Sequence, residues 1–377
     1  MGFDSLEFLT LQQYWWSIIA LLGGLFVFIM FVQGGQTLID KLSDNEIEKT
    51  MLINSIGRKW ELGFTTLVLF GGALFAAFPL FYATSFGGAY WVWMIILFCF
   101  IIQAVSYEYR SKPNNFLGKK TYEFFLKING SLGVFLLGVA ISTFFSGSEF
   151  IIDSNNFVDW QNDLRGLEAL LNPYNYLLGF SLVFLAKISG ALYFINNIDH
   201  KPIRDKAVIS IKYNMILFLV FFLGFMAWIL TKDGFAIDAN KIVFIQQNKY
   251  LINFIEMPFV MAMFIIGVLM VVIAVFMTIR FHKTCCIKTG GVGIVLTVMA
   301  ILLNVGFNNT AYYPSTVDLQ SSLSIVNSSG SHYTLMVMAY ASLMVPFVLA
   351  YIAYAWYSMD KVKITKQEIE SPDSHNY

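Results

Sequence analysis

Apolar residues run along this chain in long blocks, separated by shorter stretches where charge, Gly, Pro and Asn collect. Blocks long enough to cross a hydrocarbon core of about 30 Å cover 14–36, 63–84, 86–107, 126–146, 172–196, 212–231, 254–279, 290–307 and 334–358. The pattern predicts an all-α polytopic membrane protein of about nine transmembrane helices, with 1–377 as one integral membrane domain and 361–377 as its tail. The expected arrangement is two four-helix bundles plus one extra helix. The weakest boundary is the second connection, where Pro79 and the pair Gly87 and Gly88 interrupt a nearly continuous apolar run and supply the turn. Without it the count falls to eight.

Charge tests the count, because Lys and Arg accumulate in cytoplasmic loops. With nine spans, nineteen of the 24 basic residues fall in alternate loops and the tail, from Lys41, Lys49, Arg58 and Lys59 through to Lys361, Lys363 and Lys366. The opposite loops hold only Arg165, Lys232, Lys241 and Lys249, and Lys187 lies within a span. This places the N-terminus outside and the C-terminal tail in the cytoplasm. Merging two spans would put basic loops on both sides.

Composition agrees: 57% of residues are apolar, 13% are charged, and the mean hydropathy is +0.65, far from the soluble average. A net charge of zero offers no basic surface for nucleic acid. The first apolar run has no basic leader or small-residue cleavage site before it and is expected to stay as an anchor. Tyr14, Trp15 and Trp16 open the first span, Trp91 and Trp93 the third, and Trp356 and Tyr357 close the last, as interfacial anchors do. The acidic outer loop 147–171 reads as solvated surface.

Candidate chemistry is sparse. His200, His282, His332 and His375 all fall in loops, at span ends or in the tail, so no histidine offers a mid-membrane haem ligand. The sixteen methionines read as packing. Cys99 is isolated, and the adjacent Cys285 and Cys286 beside His282 lack zinc-site spacing. No metal site and no cofactor held by this chain alone is expected. Glycine pairs at Gly71, Gly72 and Gly290, Gly291 lie in apolar spans, where small residues let helices approach closely.

Charged residues within or at the edges of spans are costly in lipid and are therefore functional candidates. They are Glu61 at the start of the second span, Glu108 at the end of the third, Lys187 within the fifth and Glu256 opening the seventh. Glu61 and Glu108 fall near the cytoplasmic side, where a carboxylate can take up protons. Gln103 in the third span and Gln33 and Gln36 at the end of the first bring further polar groups to that side.

The run from Met51 through Asn54, Ser55 and Ile56 to Trp60 and Glu61, followed by Gly71 to Pro79 (Gly-Gly-Ala-Leu-Phe-Ala-Ala-Phe-Pro), resembles the signature of the second subunit of cytochrome bd-type quinol oxidases. Further matches are Tyr107 to Lys112, Leu171 to Tyr174, Pro314 with Ser315, and Ser322 to Ser329. The resemblance implies a haem-free subunit in a bacterial cytoplasmic membrane, paired as a heterodimer with a haem-bearing subunit I. That partner would carry haems b and d, oxidise quinol and reduce oxygen. It also admits a small single-span subunit, bound lipid and a structural quinone in an apolar cleft.

By the same resemblance, Glu61 after Trp60 belongs to a proton-entry path from the cytoplasm, and Glu108, Gln33, Gln36 and Gln103 are further candidates by their place near that side. The chain departs from the family pattern at Leu62 to Thr66, which stands where a Gly-Asn-x-x-Trp stretch often follows the Trp-acid pair, and in two linked places. The first helix ends in Gln33, Gly34, Gly35 and Gln36 where the family has an Asp-Gly-x-Asp motif, and Gln103 replaces a common arginine. Acid and base are neutralised together, which leaves a hydrogen-bonded water path entered through Glu61. The competing reading is a secondary transporter, favoured by the span count, Lys187 and the interrupted helices.

Overall fold

The computed structural model describes residues 2–370, so the last part of the tail, including His375, lies outside the described residues. Lipid offers no hydrogen bonds to the backbone, so segments that cross it must satisfy their own, and helices do so. Among the described residues eight helices are long and apolar enough to span, and a bent pair that meets the same test when its halves are taken together is counted here as the ninth. They are Phe8–Gln36, Glu46–Ala77, Tyr90–Tyr109, Lys119–Ser146, Pro173–Asn197, Lys201–Thr231, Pro258–Phe281, Cys286–Gly306, and His332–Ser342 with Val345–Asp360, which bend by 41°. Pro346 sits in the first turn of the second half of the pair, where its missing N–H is no loss.

Local signals set the helix ends. Asn172 caps the fifth span by accepting from Tyr174 N at 3.1 Å, with Pro173 behind it. On the basic side, Asn45 accepts from Glu48 N at 2.9 Å and Glu48 Oε2 accepts from Asp44 N at 2.7 Å. This close relative of the capping box starts Glu46–Gly57, a helix that joins the first span to the membrane-crossing segment Trp60–Ala77.

Spans one to four close one bundle, with each packed on the next and the fourth returning to the first. Spans five to eight close a second in the same way, and the first span joins the two by packing against the fifth and the eighth. This seam is narrow because it is lined with glycine. A Cβ at Gly34 would lie 1.8 Å from Ala186 O, and one at Gly190 2.5 Å from Gly35 N, so only glycine permits the crossing. The ninth span lies outside both bundles and is fastened to the first by Trp15 Nε1 donating to Leu335 O at 3.0 Å.

On the opposite side two hairpins, β1 (Phe150–Ile152) with β2 (Val158–Trp160) and β3 (Gly234–Ile237) with β4 (Val243–Gln246), are stitched to the segment 307–331. Beneath them Trp16, Phe78, Phe81, Phe144, Tyr312 and Tyr313 pack edge to face and tilted.

Candidate functional site

The first, third and fourth spans meet near their basic ends, and the polar residues there face inward. Gln33 Nε2 and Gln36 Nε2 both donate to Gln103 Oε1, at 2.8 and 2.6 Å, and Gln36 Nε2 lies 3.1 Å from Tyr107 Oη. All four are buried. Gln103 and Tyr107 are one turn apart on the third span, and Gln33 and Gln36 one turn apart on the first, so both pairs project to the same side.

The fourth span contributes a widened helical turn at 129–133, packed between the third span and the end of the first. Asn129 opens that turn fully buried, and neither of its amide atoms has a hydrogen-bond partner among the described residues. Gln36 Oε1 and Gln103 Nε2 are likewise buried and unpaired. Buried polar groups are normally satisfied by protein or by ordered water. Two donors and two acceptors left open at one crossing make a site suited to water.

One turn beyond the amides, toward the basic face, lies a chain of ion pairs. Arg110 Nη2 donates to Glu123 Oε1 at 2.8 Å, Lys49 Nζ meets Glu123 Oε2 at 2.9 Å and Asp40 Oδ1 at 3.1 Å, and Asp40 also pairs with Lys127. Arg110 and Glu123 are both buried. Partial burial of Asp40 works against its charge, yet hydrogen bonds and the charges of Lys127 and Lys49 hold its carboxyl below the usual range.

Glu61 stands in the first turn of Trp60–Ala77, exposed, with no hydrogen bond or ion pair among the described residues. Its neighbour Trp60 stacks on Tyr107, with ring centres 5.9 Å apart and planes 14° from parallel. Backbone at Gly63 also borders the cluster, since a Cβ there would meet Gln33 Nε2 at 3.4 Å. Glu61 is therefore joined to the amides through Trp60 and Gly63, its own helix neighbours. Glu108 stands apart: its side chain is 61% exposed and pairs with Lys112 at 3.2 Å, one turn along the helix, which is a solvated helix end. Lys187 also stands apart, with its ammonium 5.3 Å from the centre of the Phe184 ring. Glu256 is exposed and accepts from Asn308 Nδ2 at 2.6 Å.

Sequence reasoning did not single out Asn129, Glu123, Asp40 or Asp360. Asn129 carried a legible signal, an amide inside an apolar run. Asp360 did not, because its partner Lys59 is remote in sequence. The Lys59 ammonium, fully buried, meets Asp360 Oδ1 at 3.0 Å. The same oxygen accepts from Tyr193 Oη and Asn197 Nδ2, each at 3.1 Å, and Trp356 Nε1 donates to Oδ2 at 2.7 Å.

Each described histidine sits at a helix end. His200 is engaged with Glu48 at 3.0 Å, His332 lies 3.1 Å from Leu6 O, and His282 ends the seventh span in a left-handed conformation. Among the described residues no group of three or more His, Cys, Asp or Glu is placed to hold a metal ion.

A family model for cytochrome bd terminal oxidase subunit II matches residues 11–359. The chain is 27% identical over 381 residues to the cytochrome bd-I ubiquinol oxidase subunit 2 of Escherichia coli K12, covering 97% of this chain and 98% of that one. It is 25% identical to the cytochrome bd ubiquinol oxidase subunit 2 of Bacillus subtilis 168, covering 93% and 96%. The fold resembles a chain in the bd oxidase structure from Geobacillus thermodenitrificans, with a TM-score of 0.63 at 12% identity over 92% of this chain and 98% of that one.

Proposed function

The chain belongs to the cytochrome bd terminal oxidase subunit II family, and from that premise we propose that it forms the haem-free half of the membrane core of a quinol oxidase and lines a proton entry at Glu61. On this reading the basic face lies in the cytoplasm of a bacterial cell, and a subunit I partner carries haems b and d.

The observation that supports the proton path is the meeting of Gln33, Gln36 and Gln103 beside Trp60. These residues come from separate stretches of sequence, and together they leave buried donors and acceptors open. An amide cannot titrate, so the cluster does not store a proton. It can hold water through which a proton moves, and Glu61 is the carboxylate in the first turn of the helix whose Trp60 and Gly63 border it. Proton transfer by a positioned carboxylate suits this role chemically.

Glu61 is exposed on this chain alone, which leaves its carboxyl free to exchange protons at the surface of the chain. Its face of the second span continues through Thr65, Val68, Gly72, Phe75 and Pro79, all exposed and one helical turn apart. A surface meant for lipid tails would exclude the carboxylate and gain nothing from a glycine. This stripe is the proposed seat of the haem-bearing partner, and it brings Glu61 to the joint between the two.

The test is Glu61→Gln in the assembled oxidase reconstituted into vesicles. Turnover with quinol and proton uptake should both fall, by about 10²-fold or more if Glu61 is the sole entry. Unchanged turnover and uptake would remove Glu61 from the path.

A further inference from the structure

The second span is broken just before its candidate proton carrier. Glu46–Gly57 ends before Arg58, and Trp60–Ala77 begins after Lys59, whose backbone at φ −125° and ψ −4° lies outside the α-helical range. Lys59 N donates to Ile56 O at 2.9 Å and Leu62 N to Lys59 O at 3.1 Å, so the bonds at the break join residues three apart in place of four. Arg58 and Lys59 form a hinge, and the next two residues are Trp60 and Glu61.

Both hinge residues are gripped by one remote piece of chain, the segment that follows the ninth span. Asp360 Oδ1 holds the Lys59 ammonium at 3.0 Å, and Glu368 Oε1 holds Arg58 Nη2 at 2.5 Å. Between these two contacts Ile364 is fully buried, donating its N–H to Asn197 O at 2.9 Å and accepting from Asp199 N at 3.0 Å. Thr365 Oγ1 accepts from Glu368 N at 3.3 Å and opens the short helix Lys366–Glu370, which packs on Glu46–Gly57.

The contacts differ in strength. Lys59 with Asp360 is buried and costly to break. Arg58 and Glu368 are half-exposed, a pair that contributes little alone, and a helix of five residues does not hold itself together. The segment 361–370 can therefore leave the hinge while Asp360 stays anchored.

We propose that residues 361–370 are a latch on this hinge, and that Ile364 and Glu368 are positioning residues for Glu61. With the latch closed, Trp60 stays stacked on Tyr107 and Glu61 keeps its place in the turn that borders the amide cluster. Release lets the start of Trp60–Ala77 turn about Arg58 and Lys59, which moves Glu61 relative to Gln33, Gln36 and Gln103. The effect on proton uptake rests on the reading of Glu61 as the entry.

The test is hydrogen exchange at residues 58–62 of the assembled oxidase, read beside proton uptake in vesicles. Glu368→Gln should speed exchange there about threefold and lower uptake by a similar factor, while Glu368→Asp, which keeps the carboxylate, should stay closer to the parent. Ile364→Pro removes the N–H that bonds Asn197 O and should act more strongly, about tenfold. Exchange within residues 178–190 of the fifth span should not change, which separates release of the latch from general loosening. Glu368 is half-exposed, so Glu368→Gln remains informative if Ile364→Pro fails to assemble. The proposal is overturned if exchange at 58–62 matches the parent in Glu368→Gln and in any assembled Ile364→Pro. It is also overturned if exchange rises and Glu61→Gln blocks uptake, yet the latch variants take up protons at the parent rate. Parent-like uptake in Glu61→Gln would instead remove the proton-entry reading, and faster exchange at 58–62 would then support a latch acting on the hinge alone.

Discussion

Lys59 and Asp360 form a buried ion pair that ties the start of the second span to the end of the ninth. The ninth span lies outside both bundles, and this contact, continued by Arg58 to Glu368 at 2.5 Å and by the bridge of Ile364 to Ile198, holds its basic end in place. Lys59 directly precedes Trp60 and Glu61, so the pair also sets where the second span begins.

Removing one member of this pair should be far worse than removing both. Asp360→Leu leaves an uncompensated buried ammonium and takes the acceptor from Tyr193, Asn197 and Trp356, and should cost about 3–5 kcal/mol. The double variant Lys59→Met with Asp360→Leu should recover part of that loss. Thermal unfolding of the purified protein in detergent measures both, and equal losses in the single and double variants would deny the pair its role.

The glycine seam predicts a sharp contrast. Gly34→Ala forces a methyl into the Ala186 carbonyl and should prevent stable assembly or cost well over about 3 kcal/mol. Gly72→Ala meets nothing within 4 Å in this chain and should leave the isolated chain stable. If the stripe seats a partner, Gly72→Ala should instead lower the yield of the complex. Expression and co-purification yields read both.

Gln103 is the shared acceptor of the amide cluster. Gln103→Leu removes it and strands the donors of Gln33 and Gln36, which should cost about 1–3 kcal/mol and slow proton uptake. Gln103→Glu restores an acceptor and should keep more of the stability. Uptake in vesicles and thermal midpoints separate the two effects.

Asp40 gives the basic rim an acid limit. Its carboxyl is held below the ordinary range, so its contribution is complete above about pH 4, the unfolded value, and is lost as pH falls through the lower folded value. Asp40→Asn should be less stable than the parent at neutral pH. The two stability curves should draw together below pH 4, and a gap that stays constant into strong acid would contradict the assignment.

The glutamines show how far sequence reading went. Their polarity near one side of the membrane marked Gln33, Gln36 and Gln103 as candidates, and the structure brings all three together. Glu108 carried the same kind of signal, yet it lies one residue past Tyr107 on the helix and so faces outward to Lys112. Helical phase decides this, and an edge position in the sequence does not specify it when the helix is apolar nearly all round. Asn129 was readable as an amide in an apolar run, but its importance depends on a widened turn between two other spans.

By itself the sequence determined the class of protein, a span count of about nine where the structure has eight or nine candidates among the described residues, and the asymmetry of charge, because transfer into lipid acts on each segment separately and needs no knowledge of its neighbours. Its family motifs likewise pointed to Trp60 and Glu61. Only the tertiary structure decided which polar groups meet, which carboxylate finds Lys59, and that Lys187 finds none among the described residues. Those outcomes depend on glycine-lined crossings such as Gly34 against Ala186, where close approach of distant segments selects the neighbours of every side chain around it.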